Sequence, residues 1–475
     1  MSRADVVVVG AGPAGLAATA RLSRAGLSVE VVDEQRAAGG QIWRRPSDAA
    51  PRSTVRDPLR RRLLAAARAA RGATWRYSTL AWGVFDDIGH GGHVVGVLGP
   101  SGVEEVRAES LVVTSGAYDL PAALPGWTLP GVLTVGGVQT LLKAGGLVPA
   151  GPVVLAGAHP LLFVAAAQLV AAGVEVAEVA MAGPRPGPAA AARSASAALW
   201  GAAKLAEGGR ALATLRSAGV PVRWSTLPRR ILAAPEGDER VAAVELVRVD
   251  ARWRPRGPAR RVACDVVALC FGFLASAELA RQAGCAVRWA PAEGGWVVVH
   301  DRWQQSTVPG LFVAGEVTGV AGAEQAAAEG HLAALGLLRR LGRPVTAAEE
   351  RRARRALART SRFAAVVGRE FAPRLDALAR LADEDTIVCR CEEVTAGQIR
   401  RELAGHPYVT TVNAAKLLTR CGMGACQGRY CGVTLAHLVA EHGGRPVAEA
   451  GVFTARAPVK PLTVAELAAP EDTPP

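Results

Sequence analysis

The sequence predicts an α/β protein of two Rossmann-type lobes, followed by a small helical domain that carries two pairs of close cysteines. Three observations predict it. The first 35 residues read as strand, glycine turn, helix and strand, with Gly10, Gly12 and Gly15 in the turn. A weaker copy of that start recurs at a shift of 147 residues, where Val153–Gly157 repeats Val6–Gly10 without a gap. Five of the eight cysteines crowd into residues 389–431.

Bulk properties set the bounds. A chain of 475 residues, 50% hydrophobic and 20% charged, has room for two to four domains with ample core. The formal charge is +13, and the densest basic run is Arg351, Arg352, Arg354 and Arg355. That run lies in an Ala-rich helical stretch with no aromatic interleaving, so a solvated surface is expected and a nucleic-acid partner is not. Residues 6–20 are apolar but follow a single Arg3, so no secretory signal is expected. The apolar stretch 153–174 contains Gly157, His159, Pro160 and Gln168, and reads as strand plus buried helix rather than a membrane span. A cytoplasmic protein is expected. All cysteines lie at or after Cys264, a lopsided distribution that suits a metal site better than a disulfide scaffold.

In chain order, Val6–Val9 is a continuous apolar run, as a strand buried on both faces requires. After the glycine turn come an Ala/Leu-rich helix, Gly26 as its stop, and a second strand ending in Asp33. In the copy, Ala165–Ala167 fall on the first helix, Leu169 on Leu22 and Gly173 on Gly26. Residues 184–215 read as a Pro-rich, then Ala-rich insertion with a helix. Val262–Cys270 and Trp296–Val299 read as strands. Residues 310–319 read as a strand ending in a glycine turn, with a helix over about 323–341. The expected domains are 1–125 (first lobe), 126–285 (second lobe), 286–345 (first lobe resumed), 346–385 (helical connector), 386–450 (cysteine domain) and 451–475 (a Pro-rich tail).

The turn carries the first chemistry. Gly10 permits the tight bend, Gly12 lets the backbone approach a pyrophosphate at the helix N-terminus, and Gly15 lets helix and strand pack closely. Asp33, 18 residues beyond Gly15, is placed to accept from a ribose hydroxyl. Gly39, Gly40 and Gln41 then bring the chain towards a flavin. Gly315–Glu316 ends a later strand where many two-lobed flavoproteins carry Gly-Asp, and Glu316 is expected on the ribityl chain. FAD is therefore the expected cofactor.

The copy has lost its fingerprint. His159 stands in the place of Gly12, Leu162 in that of Gly15 and Ala180 in that of Asp33. Efficient NAD(P)H binding is not expected, although Glu178 lies nearby, out of register. A redox C-x-x-C is absent from the sequence, which excludes disulfide reduction by such a pair.

Cys389-Arg-Cys391 and Cys426-x4-Cys431 are separated by 34 residues. Two close pairs give four thiolates around one centre, which suits iron–sulfur or zinc. The tight C-x-C is unlike the C-x-x-C of zinc ribbons. Thr395 with Gln398 has the form of a capping box that opens a helix between the pairs. Cys264, Cys270 and Cys285 read as core residues.

Asp33-Glu-Gln, Gly39-Gly-Gln-Ile, Gly116-Ala-Tyr-Asp and Pro125-Gly-Trp-Thr-Leu-Pro-Gly131 resemble the flavoprotein subunits of bacterial amine and amino-acid dehydrogenases. That group includes hydrogen cyanide synthase, the opine oxidases and D-hydroxyproline dehydrogenase. The resemblance spans nearly the whole chain. It implies the two-lobed, disulfide-reductase-like fold with FAD in the first lobe. The cysteine unit is similar to the 2Fe–2S domain of bacterioferritin-associated ferredoxin. This similarity implies Cys389, Cys391, Cys426 and Cys431 as cluster ligands and leaves Cys421 a bystander. The resemblance further implies a hetero-oligomer. A D-amino-acid-oxidase-like partner would oxidise an amino or imino acid, and this chain would pass the electrons on. No catalytic base is assigned, since His300 and His331 are lone histidines. The competing reading is an NAD(P)H-dependent ferredoxin or quinone reductase, and the degraded copy argues against it. An iron-release partner of a storage protein fits the cysteine unit alone but not the intact flavin turn.

Overall fold

The computed structural model describes residues 3–44, 57–188, 201–234 and 239–468. In the first lobe, strand Arg3–Val9 lies between Val29–Val32 and Gly102–Val113, parallel to both. Ala73–Arg76 extends the sheet on one side, and antiparallel His93–Gly99 and Leu80–Asp86 extend it on the other. Leu311–Val313 returns from far along the chain to pair with Gly102–Val113. Val6, Val7 and Val8 are fully buried, which explains an apolar run without alternation. Helix Pro13–Arg24 packs on helix Ala323–Arg340. There Gly330 lets the backbones approach, since a Cβ would lie 2.0 Å from the carbonyl oxygen of Ala14.

The second lobe has its own parallel sheet, ordered Val222–Trp224, Val176–Met181, Val153–Gly157, Val266–Cys270 and Val132–Thr134. The internal repeat is thus a structural one: Val153–Gly157 is the central strand here, as Arg3–Val9 is in the first lobe. Beside it lies an antiparallel sheet of Thr226–Ala233, Val241–Arg248 and Arg260–Ala263.

The single strand expected over Val262–Cys270 is two strands in two different sheets, Arg260–Ala263 and Val266–Cys270. The chain crosses between the sheets at Cys264–Asp265, and an unbroken apolar run hides such a crossing. The expected insertion contains helix Ala202–Ser217, while residues 189–200 lie outside the described residues, as do Pro470, Pro474 and Pro475 of the expected tail.

The connector is a long helix, Ala347–Phe371, then a short one, Leu375–Ala379. The cysteine domain follows with strands Ile387–Cys389 and Val394–Thr395 and helices Ala396–Gly405, Val412–Thr419 and Gly432–Gly443. The capping box of Thr395 and Gln398 is present with both of its hydrogen bonds. This domain shares one apolar core with the second lobe, running from Leu124 and Ile231 to Val388, Leu403 and Leu435. The Trp127 indole N–H seals the join by donating to the Ile387 carbonyl at 2.6 Å. Residues after Gly451 turn back to the first lobe, where the Val459 N–H donates to the Trp82 carbonyl at 2.8 Å. Among the described residues, no helix is long and apolar enough to cross a membrane.

Candidate functional site

In the first lobe, strand Arg3–Val9 delivers Gly10 at φ +101° into the turn that opens helix Pro13–Arg24. A Cβ on Gly10 would meet the Thr114 carbonyl at 2.4 Å, and one on Gly15 would meet the Gly10 carbonyl at 1.8 Å. Gly12 differs: the nearest atom to its added Cβ is Cα of Gly40, at 3.9 Å. Among the described residues, the chain therefore leaves room at the position where a pyrophosphate would need it. The buried carboxylate of Asp33 accepts from the Ala11 N–H at 2.5 Å and the Gln35 N–H at 2.7 Å. Burial pushes its pKa up against those two bonds. The Gly39 N–H donates to the Ala11 carbonyl at 2.9 Å, so the two glycine turns stand side by side. Gln41 is exposed, and its side-chain oxygen is taken by Arg44.

Gly315 adopts φ +82°, and a Cβ there would crowd that of Ala14 at 3.0 Å. The turn is thus next to the first helix, with Glu316 beside it. Glu316 Oε1 accepts from the N–H groups of Gly322 at 2.8 Å and Ala321 at 3.3 Å, at the start of helix Ala323–Arg340. Burial raises its pKa to about 7.

In the second lobe the turn after Val153–Gly157 is held by its own side chain. His159 Nδ1 accepts the Leu161 N–H at 3.2 Å, a donor that an open nucleotide turn would offer to a phosphate. The imidazole lies edge-on to Phe273 at 5.1 Å, and burial lowers its pKa to about 4. The long helix and the residues just after it also touch this lobe. Phe363 occupies the space beside Gly201, where a Cβ would lie 2.0 Å from its ring, Phe371 packs on the second-lobe core, and Pro373 covers Gly272. Glu178 is buried and salt-bridged to Arg260.

The cysteine domain brings its thiols together. The sulfurs of Cys389, Cys421 and Cys431 all lie within 4.8 Å of one another and are buried. Cys389 accepts from the Gly422 N–H at 3.4 Å. Cys391, exposed, and Cys426, half-buried, pair with each other alongside. The four expected ligands thus fall into a buried pair and an outer pair. Cys421, expected as a bystander, stands with the buried pair. The neighbouring Cys421 and Cys431 thiols, more than the Gly422 N–H, pull the Cys389 thiol down, while those two thiols move up beside it. Sulfurs this crowded would need a compensating cation to ionise together, and a thiophilic metal centre would supply one. Cys264, Cys270 and Cys285 are buried core thiols, all raised by burial.

Comparison with known proteins matches residues 4–330 to the pyridine nucleotide-disulphide oxidoreductase family. The chain belongs to that family. It is an FAD-dependent oxidoreductase. Residues 384–471 match the sarcosine oxidase A3 domain. The A component of opine oxidase from Rhizobium meliloti (strain 1021) is 37% identical, over 98% of this chain and 99% of its own. Hydrogen cyanide synthase subunit HcnB of Pseudomonas aeruginosa is 32% identical over 96% of each. Among solved structures, L-proline dehydrogenase from P. horikoshii superposes with a TM-score of 0.68 at 20% identity, covering 98% of this chain and 80% of that one, and shows the same fold.

Two residues that organise the flavin lobe of this oxidoreductase escape a motif search. The Thr114 hydroxyl bonds the Val9 and Gly10 carbonyls at 2.8 and 2.9 Å and so fixes the first turn. The buried carboxylate of Glu329 accepts from the Gly315 N–H, Thr318 Oγ1 and Gln325 Nε2 at 2.7–2.8 Å and so fixes the other. Gln325 and Glu329 are spaced i, i+4 on one helix, which was the only sequence signal of that arrangement.

Proposed function

We propose that this chain is the flavin and iron–sulfur electron-transfer subunit of a cytoplasmic hetero-oligomer that oxidises an amino or imino acid, such as a hydroxyproline or an opine. Substrate oxidation lies on a partner flavoprotein subunit of the D-amino-acid-oxidase type. Gly10, Gly12, Gly15, Asp33, Gly40, Gly315 and Glu316 hold the FAD. Cys389, Cys391, Cys426 and Cys431 hold a 2Fe–2S cluster. When bound, the two groups join a two-electron acceptor to a one-electron carrier. Such a pairing is useful when electrons must pass between proteins.

The observation that carries the reading is the gathering of the cysteines into one patch in a chain with one open nucleotide turn. The names of the full-length relatives support it, since each is a subunit of an oxidase or synthase. The alternative, an NAD(P)H-dependent ferredoxin or quinone reductase, needs a second nucleotide turn. Here His159 already holds the Leu161 N–H.

The test is dye reduction by the purified chain against a panel of amino and imino acids, repeated after co-expression with its oxidase-like partner. Turnover is expected only with the partner present. Full turnover by the isolated chain would place the oxidising site here and overturn the assignment.

A further inference from the structure

We infer that Cys421 is a fifth thiol of the cluster pocket: a positioning residue that donates its S–H to Cys389 and sets the potential of the centre without ligating it. The inference rests on the iron–sulfur reading above and concerns a residue outside the two cysteine pairs.

The placement of Cys421 is built, not incidental. Helix Val412–Thr419 ends at Arg420, whose φ of +62° is a left-handed conformation that turns the chain inward. That turn is fastened on both sides. The Arg420 guanidinium donates to the Glu392 carboxylate at 3.0 Å, in the loop just beyond Cys391, and the Cys421 N–H donates to Thr419 Oγ1 at 3.2 Å. The next residue, Gly422, places its N–H on the sulfur of Cys389. The Phe453 ring packs so tightly on Gly422 that an added Cβ would lie 2.5 Å from it. Cys421 is therefore 0% exposed, with its sulfur within 4.8 Å of both buried ligand sulfurs.

Among the described residues the buried Cys421 thiol faces the sulfurs of Cys389 and Cys431, so its S–H is directed towards ligand sulfur. Donors to ligand sulfur stabilise the reduced, more negative state of a cluster and raise its potential. The outer pair has no such thiol, so the two ends of the site are electronically unequal.

The test compares the full-length chain with Cys421→Ala and Cys421→Ser by iron and sulfide content, the reduced-state paramagnetic signal and a potentiometric titration of that signal. Both variants are expected to keep two irons and two sulfides. In Cys421→Ala the reduced-to-oxidised ratio at a fixed potential should fall roughly tenfold, which for one electron is ~59 mV. Cys421→Ser keeps a donor and should lie between Cys421→Ala and wild type, or above wild type. An unchanged titration in Cys421→Ala overturns the inference. Loss of the cluster from the serine variant also overturns it, by making Cys421 a ligand. Wild-type protein made with iron available but lacking sulfide would instead bring down the iron–sulfur reading itself, and the inference with it.

Discussion

Three glycines that look alike in the sequence divide into two kinds once their surroundings are known. Gly10 and Gly15 are required by the protein's own backbone, whereas nothing among the described residues requires Gly12. Gly15→Ala is therefore expected to cost about 3 kcal/mol of stability through overpacking, read as a lowered unfolding midpoint. Gly12→Leu should fold normally and purify without flavin absorbance, and a variant that retains full absorbance would place the pyrophosphate elsewhere. His159 carries a second residue-level expectation. Its folded pKa of about 4 lies below the ordinary 6.5, so the native state holds it neutral while the unfolded chain takes up the proton first. Stability should fall as pH drops from 6.5 towards 4, and denaturant midpoints should fall less steeply over that window in His159→Asn. The fingerprint residues were legible because the spacing of Gly10, Gly12, Gly15 and Asp33 is local. Thr114 and Glu329 were not, because their partners are brought together only by the fold.

At the level of elements, the long helix Ala347–Phe371 shows where a sequence pattern runs out. Its Arg351, Arg352 and Arg355 face water as their run suggests, but Arg354 turns in, bonds the Arg302 carbonyl at 3.0 Å and lies over the Trp303 ring at 4.5 Å. Nothing local in Phe363 or Phe371 announces that they meet the second lobe, since Gly201 and the core cluster they meet lie more than 100 residues earlier in sequence. That same helix gives the prediction at this scale. With His159 holding the Leu161 N–H and Phe363 of this helix set beside Gly201, the second lobe is expected to offer neither NADH nor NADPH an open helix N-terminus for its phosphates. Anaerobic mixing with either nucleotide at low micromolar concentration should leave the flavin oxidised for minutes. Rapid bleaching would mean that the helix moves aside, and would favour the reductase reading.

At the scale of the molecule, the repeat gave away the two lobes. The first sheet is completed by Leu311–Val313, made after the whole second lobe, so the first lobe is not one continuous piece of chain. The excess of arginine was legible as surface. Its use in joining domains was not, as where Arg429 bonds both the Cys426 carbonyl at 3.1 Å and the Val459 carbonyl at 2.8 Å. The stretch expected as a tail begins instead as a clasp. Phe453 lies on Gly422, Gly428 and Gly432, the glycines around the cysteines, and the chain then continues to Trp82 and Glu34 of the first lobe. The order of synthesis gives this clasp a temporal meaning. Residues 389–431 emerge from the ribosome before Phe453 does, so a nascent chain presents its thiols to the surroundings while the ring that will cover their glycines is still unmade. The pocket is open first and shut afterwards.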